Sequence, residues 1–375
     1  MNYIYKGVDV TVGGSGGDEG KGATSKYLAS KKRSSNSGRK YHILMRNPST
    51  QAGHSIPNQK GEKIALATLP CGCMEDDYSR ILLGAGSLIS VEKFMNEIEK
   101  TGIDSRRIGI DYQAAIVTQA HIDEERGNTN LMKSVGSVGS GVGPCRRDKI
   151  MRVQGFQLAR DVPELKPFLS DAVEEVYSTL EKKENILLEG DHGFKLSLIH
   201  GEYPKVTSRD TTTTGFLSEA GINPFAVHDV YMCIKPYVTR VGPGPLEEEV
   251  FDKKVLDWAH GEGGEIGSVS KRLRRIGKFE IEGILRASKI NGATKLCITH
   301  MDAFQNEDFR RVFGTQEEFL KKVNEEVCTQ YPFPKISLLS YGPGVENVVE
   351  YTDLFGADIK KITGFLKSSL KRLQI

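Results

Sequence analysis

The chain alternates short apolar runs with longer segments of helical spacing. Runs at 8–13, 41–45, 80–83, 186–189, 230–234, 295–299 and 336–340 are rich in Val, Ile, Leu, Met and Cys. Short runs of this kind predict strands, and the continuous ones read as buried on both faces of a parallel sheet. Between them, apolar residues recurring every three to four positions predict helices over 20–31, 91–101, 171–183, 316–325 and 357–374. The alternation of the two patterns predicts an α/β fold: a central, mostly parallel sheet, helices on both faces and long functional loops. No internal repeat and no clean linker interrupts the chain, so 1–375 reads as one elaborated domain. The polar 31–40 segment, with Ser34, Ser35, Ser37 and Gly38, reads as an exposed loop.

Composition narrows the function. The 375 residues carry 51 Lys+Arg against 49 Asp+Glu, a net charge of +2. That balance gives no broad basic field for a phosphate backbone, so no nucleic-acid partner is expected. No apolar run approaches the roughly 18 residues needed to span a bilayer, and no secretory signal opens the sequence, so no membrane is expected. The six cysteines are scattered, and Cys71-Gly-Cys73 has no second pair to complete a zinc site. Reduced thiols in the cytoplasm are the expectation. The 40 glycines cluster at 13–22, 136–143, 242–244 and 261–267. Clusters of Gly beside apolar runs mark places where backbone approaches a ligand.

The first cluster carries the most chemistry. Gly13-Gly-Ser-Gly-Gly-Asp-Glu-Gly-Lys-Gly22 follows a strand and opens a helix. Its backbone N–H groups can cradle phosphate, and the helix N-terminus favours an anion. The run is P-loop-like but departs from the P-loop, because Gly22 stands where Ser or Thr would bind magnesium. Asp18 and Glu19 place acid inside it, which points to metal binding or base chemistry rather than phosphate holding alone.

Gly17-Asp-Glu-Gly-Lys-Gly22 resembles the signature of the adenylosuccinate synthetases, and further segments resemble that family in chain order. They are Gln51-Ala-Gly-His54; the glycine run 136–144 with Asp148, Lys149 and Arg152; Glu189-Gly-Asp-His-Gly193; Tyr203-Pro-Lys-Val-Thr-Ser208; Thr239-Arg-Val-Gly-Pro-Gly-Pro245; Lys271-Arg-Leu-Arg-Arg275; and Thr299-His-Met-Asp302. The resemblance spans about 8–345 and implies a P-loop-like nucleotide-binding fold. It also implies a ligase that phosphorylates the 6-oxygen of a purine nucleoside monophosphate and displaces that phosphate with the amine of L-aspartate, using ATP or GTP and Mg²⁺.

The roles it implies follow the motifs. Asp18 is the base and a metal ligand, His54 the acid at the transferred phosphoryl group, and Lys21 a catalytic cation near phosphate oxygens. The Gly53 carbonyl also ligates Mg²⁺. The purine monophosphate is held by Asp18, Gln51, Ser137, Val138, His192, Thr207, Val241 and Arg272, with Arg152 reaching across from the other subunit of a homodimer. Aspartate is held by Ser268, Val269, Ser270, Arg272 and Arg274, since planar guanidinium groups suit carboxylates. The triphosphate nucleotide meets Gly17, Glu19, Gly20, Lys21, Gly22, Gly53, His54, Ser55, Arg274, Thr299, Asp302, Ser340, Gly342 and Pro343. A nucleotide-binding protein without ligase chemistry is the other class the loop allows; Asp18, His54 and the arginines speak against it.

Departures from the family pattern cluster on the monophosphate side. Gln51 replaces Asn, Ser137-Val138 replaces Thr-Thr, Asp191-His192 replaces Ala-Gln, and Lys271 replaces Gly. The Pro48-Ser-Thr-Gln-Ala-Gly-His54 run resembles a branch of the family, phage enzymes among it, that amidates dGMP to a 2-aminoadenine precursor for phage DNA. The acceptor expected first is therefore dGMP, giving N6-succino-2-amino-2′-deoxyadenylate, with IMP and ordinary adenylosuccinate synthesis as the alternative. Guanine adds a 2-amino donor, which needs an acceptor when buried. Asp191 or a loop carbonyl is the expected acceptor.

Overall fold

The computed structural model describes residues 4–30, 39–57, 61–267 and 271–351. A ten-stranded sheet organises them. From one edge its strands are Leu169–Ser170, Ile108–Asp111, Arg80–Leu83, Tyr41–Arg46 (β2), Asn185–Glu189, Val8–Gly13 (β1), Val227–Ile234, Lys295–Ile298, Lys335–Ser340 and Val348–Glu350. Every neighbouring pair is parallel except the last, where Val348–Glu350 runs antiparallel on the edge.

All seven expected strands are present, shifted by up to three residues at their ends. The expected helices appear as Lys21–Ala29 (α1), Val91–Thr101, Ala172–Glu181 and Gln316–Glu326. The 357–374 helix and part of the 31–40 loop lie outside the described residues. The pattern missed several elements. Ile108–Asp111 is only four residues long and contains Gly109, whose added Cβ would lie 2.6 Å from the Arg80 guanidinium. The helix Val142–Met151 begins inside a glycine run, with Gly141 left-handed at its N-cap, so its start reads as loop.

The sheet buries both faces. Val8, Val10 and Val12 of β1 join Ile186, Leu188, Met232 and Ile234 in one core, under the helices Ala172–Glu181, Thr213–Ala220 and Ile281–Asn291. Leu44, Ile81, Leu83, Leu187 and Cys233 form the other, under α1 and Val91–Thr101. The α1 helix lacks a polar face: eight of its nine residues are buried, and Ser25 exchanges a 3.0 Å hydroxyl hydrogen bond with Thr11 of β1. Such a helix is fixed by the sheet beneath it rather than by amphipathicity.

Chain order places the functional loops. β1 sits near the sheet's centre, and the chain leaves it to form β2, one strand removed, while Asn185–Glu189 fills the gap later. Loops therefore converge beyond the carboxyl ends of β1, β2, Asn185–Glu189, Val227–Ile234 and Lys295–Ile298, where ligands bind in open α/β sheets.

An aromatic cluster supports that edge from below. The buried Phe309 ring lies 5.4 Å from Tyr237, 5.1 Å from Trp258, 5.3 Å from Phe304 and 4.2 Å from Phe313. Phe309→Ala is expected to cost about 3–5 kcal/mol through lost burial and an unfilled cavity. The check is a lower urea midpoint in equilibrium unfolding; a midpoint equal to the parent's contradicts it.

Candidate active site

The β1–α1 loop is built around a buried carboxylate. Oε1 of Glu19 accepts from the Ser15 N–H at 3.0 Å, the Ser15 hydroxyl at 3.2 Å and the Gly17 N–H at 2.7 Å. Its Oε2 takes Lys21 Nζ at 2.7 Å. Burial favours the protonated acid, but the Lys21 charge and the Gly17 amide outweigh it and hold the Glu19 carboxyl below its usual range. The loop is thus wound on an internal ion pair. At Gly20, φ is +71° and an added Cβ would meet Thr299 Cγ2 at 2.7 Å, so only glycine fits. Asp18 also has positive φ, at 60°, a conformation a non-glycine residue holds only when its surroundings enforce it.

Asp18 is enforced by Arg274, whose Nη2 lies 2.6 Å from Asp18 Oδ1. Arg274 Nη1 lies 2.6 Å from Oε2 of the fully buried Glu265. His54 faces the loop from the other side. It opens the ribbon His54–Pro57/Lys63–Leu66, and its Nδ1 lies 2.7 Å from Glu189 Oε1. Glu189 Oε2 accepts the Cys71 N–H at 2.9 Å. Burial would raise the Glu189 acid, but His54 and the nearby Arg46 cation keep it below the ordinary value. A carboxylate behind an imidazole fixes its ring orientation and tautomer.

The structure gathers the residues expected for the monophosphate, the metal and the triphosphate. Gly17, Asp18, Glu19, Gly20, Lys21, Gly22, Gln51, Gly53, His54, Ser55, Ser137, Val138, His192, Thr207, Val241, Arg274, Thr299, Asp302, Ser340, Gly342 and Pro343 line one cavity of about 590 Å³. Thr299 Oγ1 donates to the Glu19 carbonyl at 3.1 Å and so ties the phosphate loop to the strand end that carries Asp302. Gln51 Nε2 lies 3.4 Å from His192 Nε2 and also donates to the Thr207 hydroxyl.

Other expectations are corrected. Arg272 is exposed and stands outside the cavity wall, donating to the Gly136 and Ser137 carbonyls at 3.4 and 3.3 Å. Arg275 turns to Glu249, with Nε 2.7 Å from Oε1. The Ser137 hydroxyl is engaged by Glu125. Arg152 is left-handed at the C-cap of Val142–Met151 and reaches no part of its own chain's cavity. Asp191 is not a pocket acceptor: it is fully buried, with Oδ1 2.6 Å from Arg46 Nη2 and Oδ2 3.1 Å from the Ser49 N–H. Burial opposes its charge, but Arg46 and Arg209 hold the acid at about 2. Ser268, Val269 and Ser270 lie outside the described residues.

Sequence reasoning missed Glu189 and Glu265. Glu189 closes an expected strand and opens the 189–193 motif, a position where a carboxylate points into a strand-end site. Glu265 offers no comparable signal, because its partners Lys235 and Tyr237 are thirty residues away.

Mg²⁺ demands hard oxygen ligands. Asp18 and the Gly53 carbonyl belong to one cavity wall. Arg274 Nη2 meets Asp18 at Oδ1. This donor set fits the ion.

Two histidines link the site to pH. Burial strips water from His192, the Arg209 and Lys21 charges oppose its protonation, and its pKa falls to about 3 despite Asp191. Burial and the Lys235 charge take His300 down to about 4. Both stay neutral in the folded state while the unfolded chain protonates near 6.5, so stability falls as pH drops below about 6.5. The thermal midpoint is expected to decline from pH 7 to pH 5, and His192→Gln to flatten that slope. An unchanged slope contradicts the assignment.

Comparison with known proteins agrees with this geometry. The family model described as adenylosuccinate synthetase matches residues 10–162 and 156–348. The adenylosuccinate synthetase of Thermococcus onnurineus is 36% identical over 352 residues, covering 92% of this chain and 98% of its own. That of Methanocaldococcus jannaschii is 34% identical over 350 residues, covering 91% and 96%. Two solved structures share the fold. One is the succinoaminodeoxyadenylate synthetase of cyanophage S-2L bound to dGMP and dATP, with TM-score 0.75 and 24% identity over 92% of this chain and 95% of that one. The other is the fully ligated adenylosuccinate synthetase of Plasmodium falciparum, with TM-score 0.77 and 22% identity over 92% and 100%. The chain belongs to the adenylosuccinate synthetase family and is a carbon–nitrogen ligase of that type.

Proposed function

We propose that the chain condenses L-aspartate with C6 of a purine nucleoside monophosphate, IMP first, with GTP or ATP as the phosphoryl donor. The observation that carries this is the meeting of Asp18, His54 and Arg274 in one glycine-walled cavity. Asp18 takes the N1 proton, and the electron pair moves to the 6-oxygen, which attacks the γ-phosphorus and expels the nucleoside diphosphate. His54, held by Glu189, donates a hydrogen bond to the phosphoryl group in transit. The aspartate amine then adds at C6 and phosphate leaves. Arg274 is placed to balance carboxylate or phosphate charge near Asp18. When bound, Mg²⁺ neutralises charge on the triphosphate, with Asp18 and the Gly53 carbonyl as its ligands.

IMP moves ahead of dGMP for two reasons. The sequence relatives reported above are named adenylosuccinate synthetases, and Asp191 is consumed by Arg46 rather than turned to the base. The Gln51–His192–Thr207 cluster keeps dGMP as the second reading, since it changes the wall where the family pattern carries Asn and Gln. With aspartate, Mg²⁺, ATP and GTP, a succino-adduct from IMP and none from dGMP is the expected mass-spectrometric result. The reverse establishes the second reading, and no adduct from either defeats the ligase assignment.

Arg152 supports a homodimer in which each chain completes its partner's monophosphate site. It is exposed beside Ile150, Met151 and Val153, which are 71%, 67% and 45% exposed. Arg152→Ala and Asp18→Asn are each expected to be nearly inactive at low monophosphate. Mixing and refolding them together should restore activity, because a hybrid dimer holds one intact site. No restoration contradicts sharing.

A further inference from the structure

The wall behind Asp18 holds a charge cluster that the reaction above does not use. Glu265 is 0% exposed and Lys235 is 2% exposed. Glu265 Oε1 accepts from Lys235 Nζ at 2.8 Å and from the Tyr237 hydroxyl at 2.6 Å, while Oε2 faces Arg274 Nη1 at 2.6 Å. Arg274 therefore bridges two carboxylates, with Glu265 behind it and Asp18 in front. Its Nε is buried and has no hydrogen-bond partner.

The backbone repeats the arrangement. The Arg274 N–H donates to the Glu265 carbonyl at 3.1 Å, and the Gly267 N–H to the Arg272 carbonyl at 2.9 Å. Glu265 and Arg274 are thus joined by both main chain and ion pair. Buried ion pairs are poor stabilisers, since well-packed apolar residues often do as well. What such a pair supplies here is direction: an arginine has about 2 kcal/mol of rotamer entropy to lose, and one anchored nitrogen fixes the plane of the fork.

We propose that Glu265 is a positioning residue: it anchors Arg274 from behind, so that the guanidinium meets Asp18 through one nitrogen and leaves the other carboxylate oxygen for the substrate. Without that anchor, Asp18 becomes the fork's only carboxylate partner and the two close on each other in a bidentate pair. The charges facing Asp18 are Arg274, Lys21 and Lys235; Glu265 faces Lys235 and Arg274, the neutral His300 ring, the Asp302 carboxyl and the Tyr237 hydroxyl. Closure therefore takes from the substrate the Asp18 oxygen that the reaction uses. The inference rests on Asp18 being the base.

The test pairs Glu265→Gln with Lys235→Met, so that no buried cation is stranded, and uses Glu265→Asp as a second variant. In the double variant kcat is expected to fall about tenfold to a hundredfold, as for a misplaced catalytic group. KM for the monophosphate should stay within about threefold, since none of its contacts are removed. Glu265→Asp, which keeps the charge, should fall between the double variant and the parent. Parental kcat, or a monophosphate KM that rises in step with the fall in kcat, in either folded variant overturns the proposal. Asp18→Asn is the control: full activity there defeats the base reading itself, independently of Glu265.

Discussion

One buried guanidinium sets the geometry of half the site. Arg46 ends β2 and has no exposed surface. It gives Nε and Nη2 to Asp191 at 2.9 and 2.6 Å and Nη1 to the Leu66 and Leu69 carbonyls at 3.2 and 3.0 Å. Glu189 lies 3.8 Å from the same Nη1. A single side chain thus fastens the ribbon carrying His54, the turn carrying His192 and the carboxylate behind His54. Removing one partner would leave a bare charge in the interior, a loss of about 3–5 kcal/mol. The departure Asp191 therefore belongs to scaffold, and His192 beside it belongs to the wall.

The two halves of the cavity are held by the same device. On one side Glu189 stands behind His54; on the other Glu265 stands behind Arg274. The Glu19–Lys21 pair does the same inside the phosphate loop. Each displayed group is backed by a buried carboxylate, so its direction is set before any ligand arrives. Gln51, His192 and Thr207, by contrast, are backed mainly by one another.

The strands and the display residues were legible because local pattern encodes them. Apolar runs marked seven strands, and the glycine-rich turns marked segments that line the cavity. The supporting residues were not legible, because their meaning lies in contacts far along the chain: Arg46 with Asp191 across 145 positions, His54 with Glu189 across 135. Arg275 illustrates the opposite error. Adjacent arginines read as one cluster, but on an extended strand successive side chains point to opposite faces, so Arg274 goes inward and Arg275 turns to Glu249.

The position of β1 has a consequence for synthesis. The strand is made well before its two partners, Asn185–Glu189 and Val227–Ile234. Both edges of the central strand must wait for more than half of the chain, unpaired and rich in valine. Local helices can form meanwhile, but the phosphate loop cannot close, because Thr299 supplies its last tie. Nascent chains of this topology expose a sticky strand for many seconds of translation at about 5–20 residues per second. Chaperone protection of the first two hundred residues is thus a demand written into the strand order, separate from anything the finished enzyme needs.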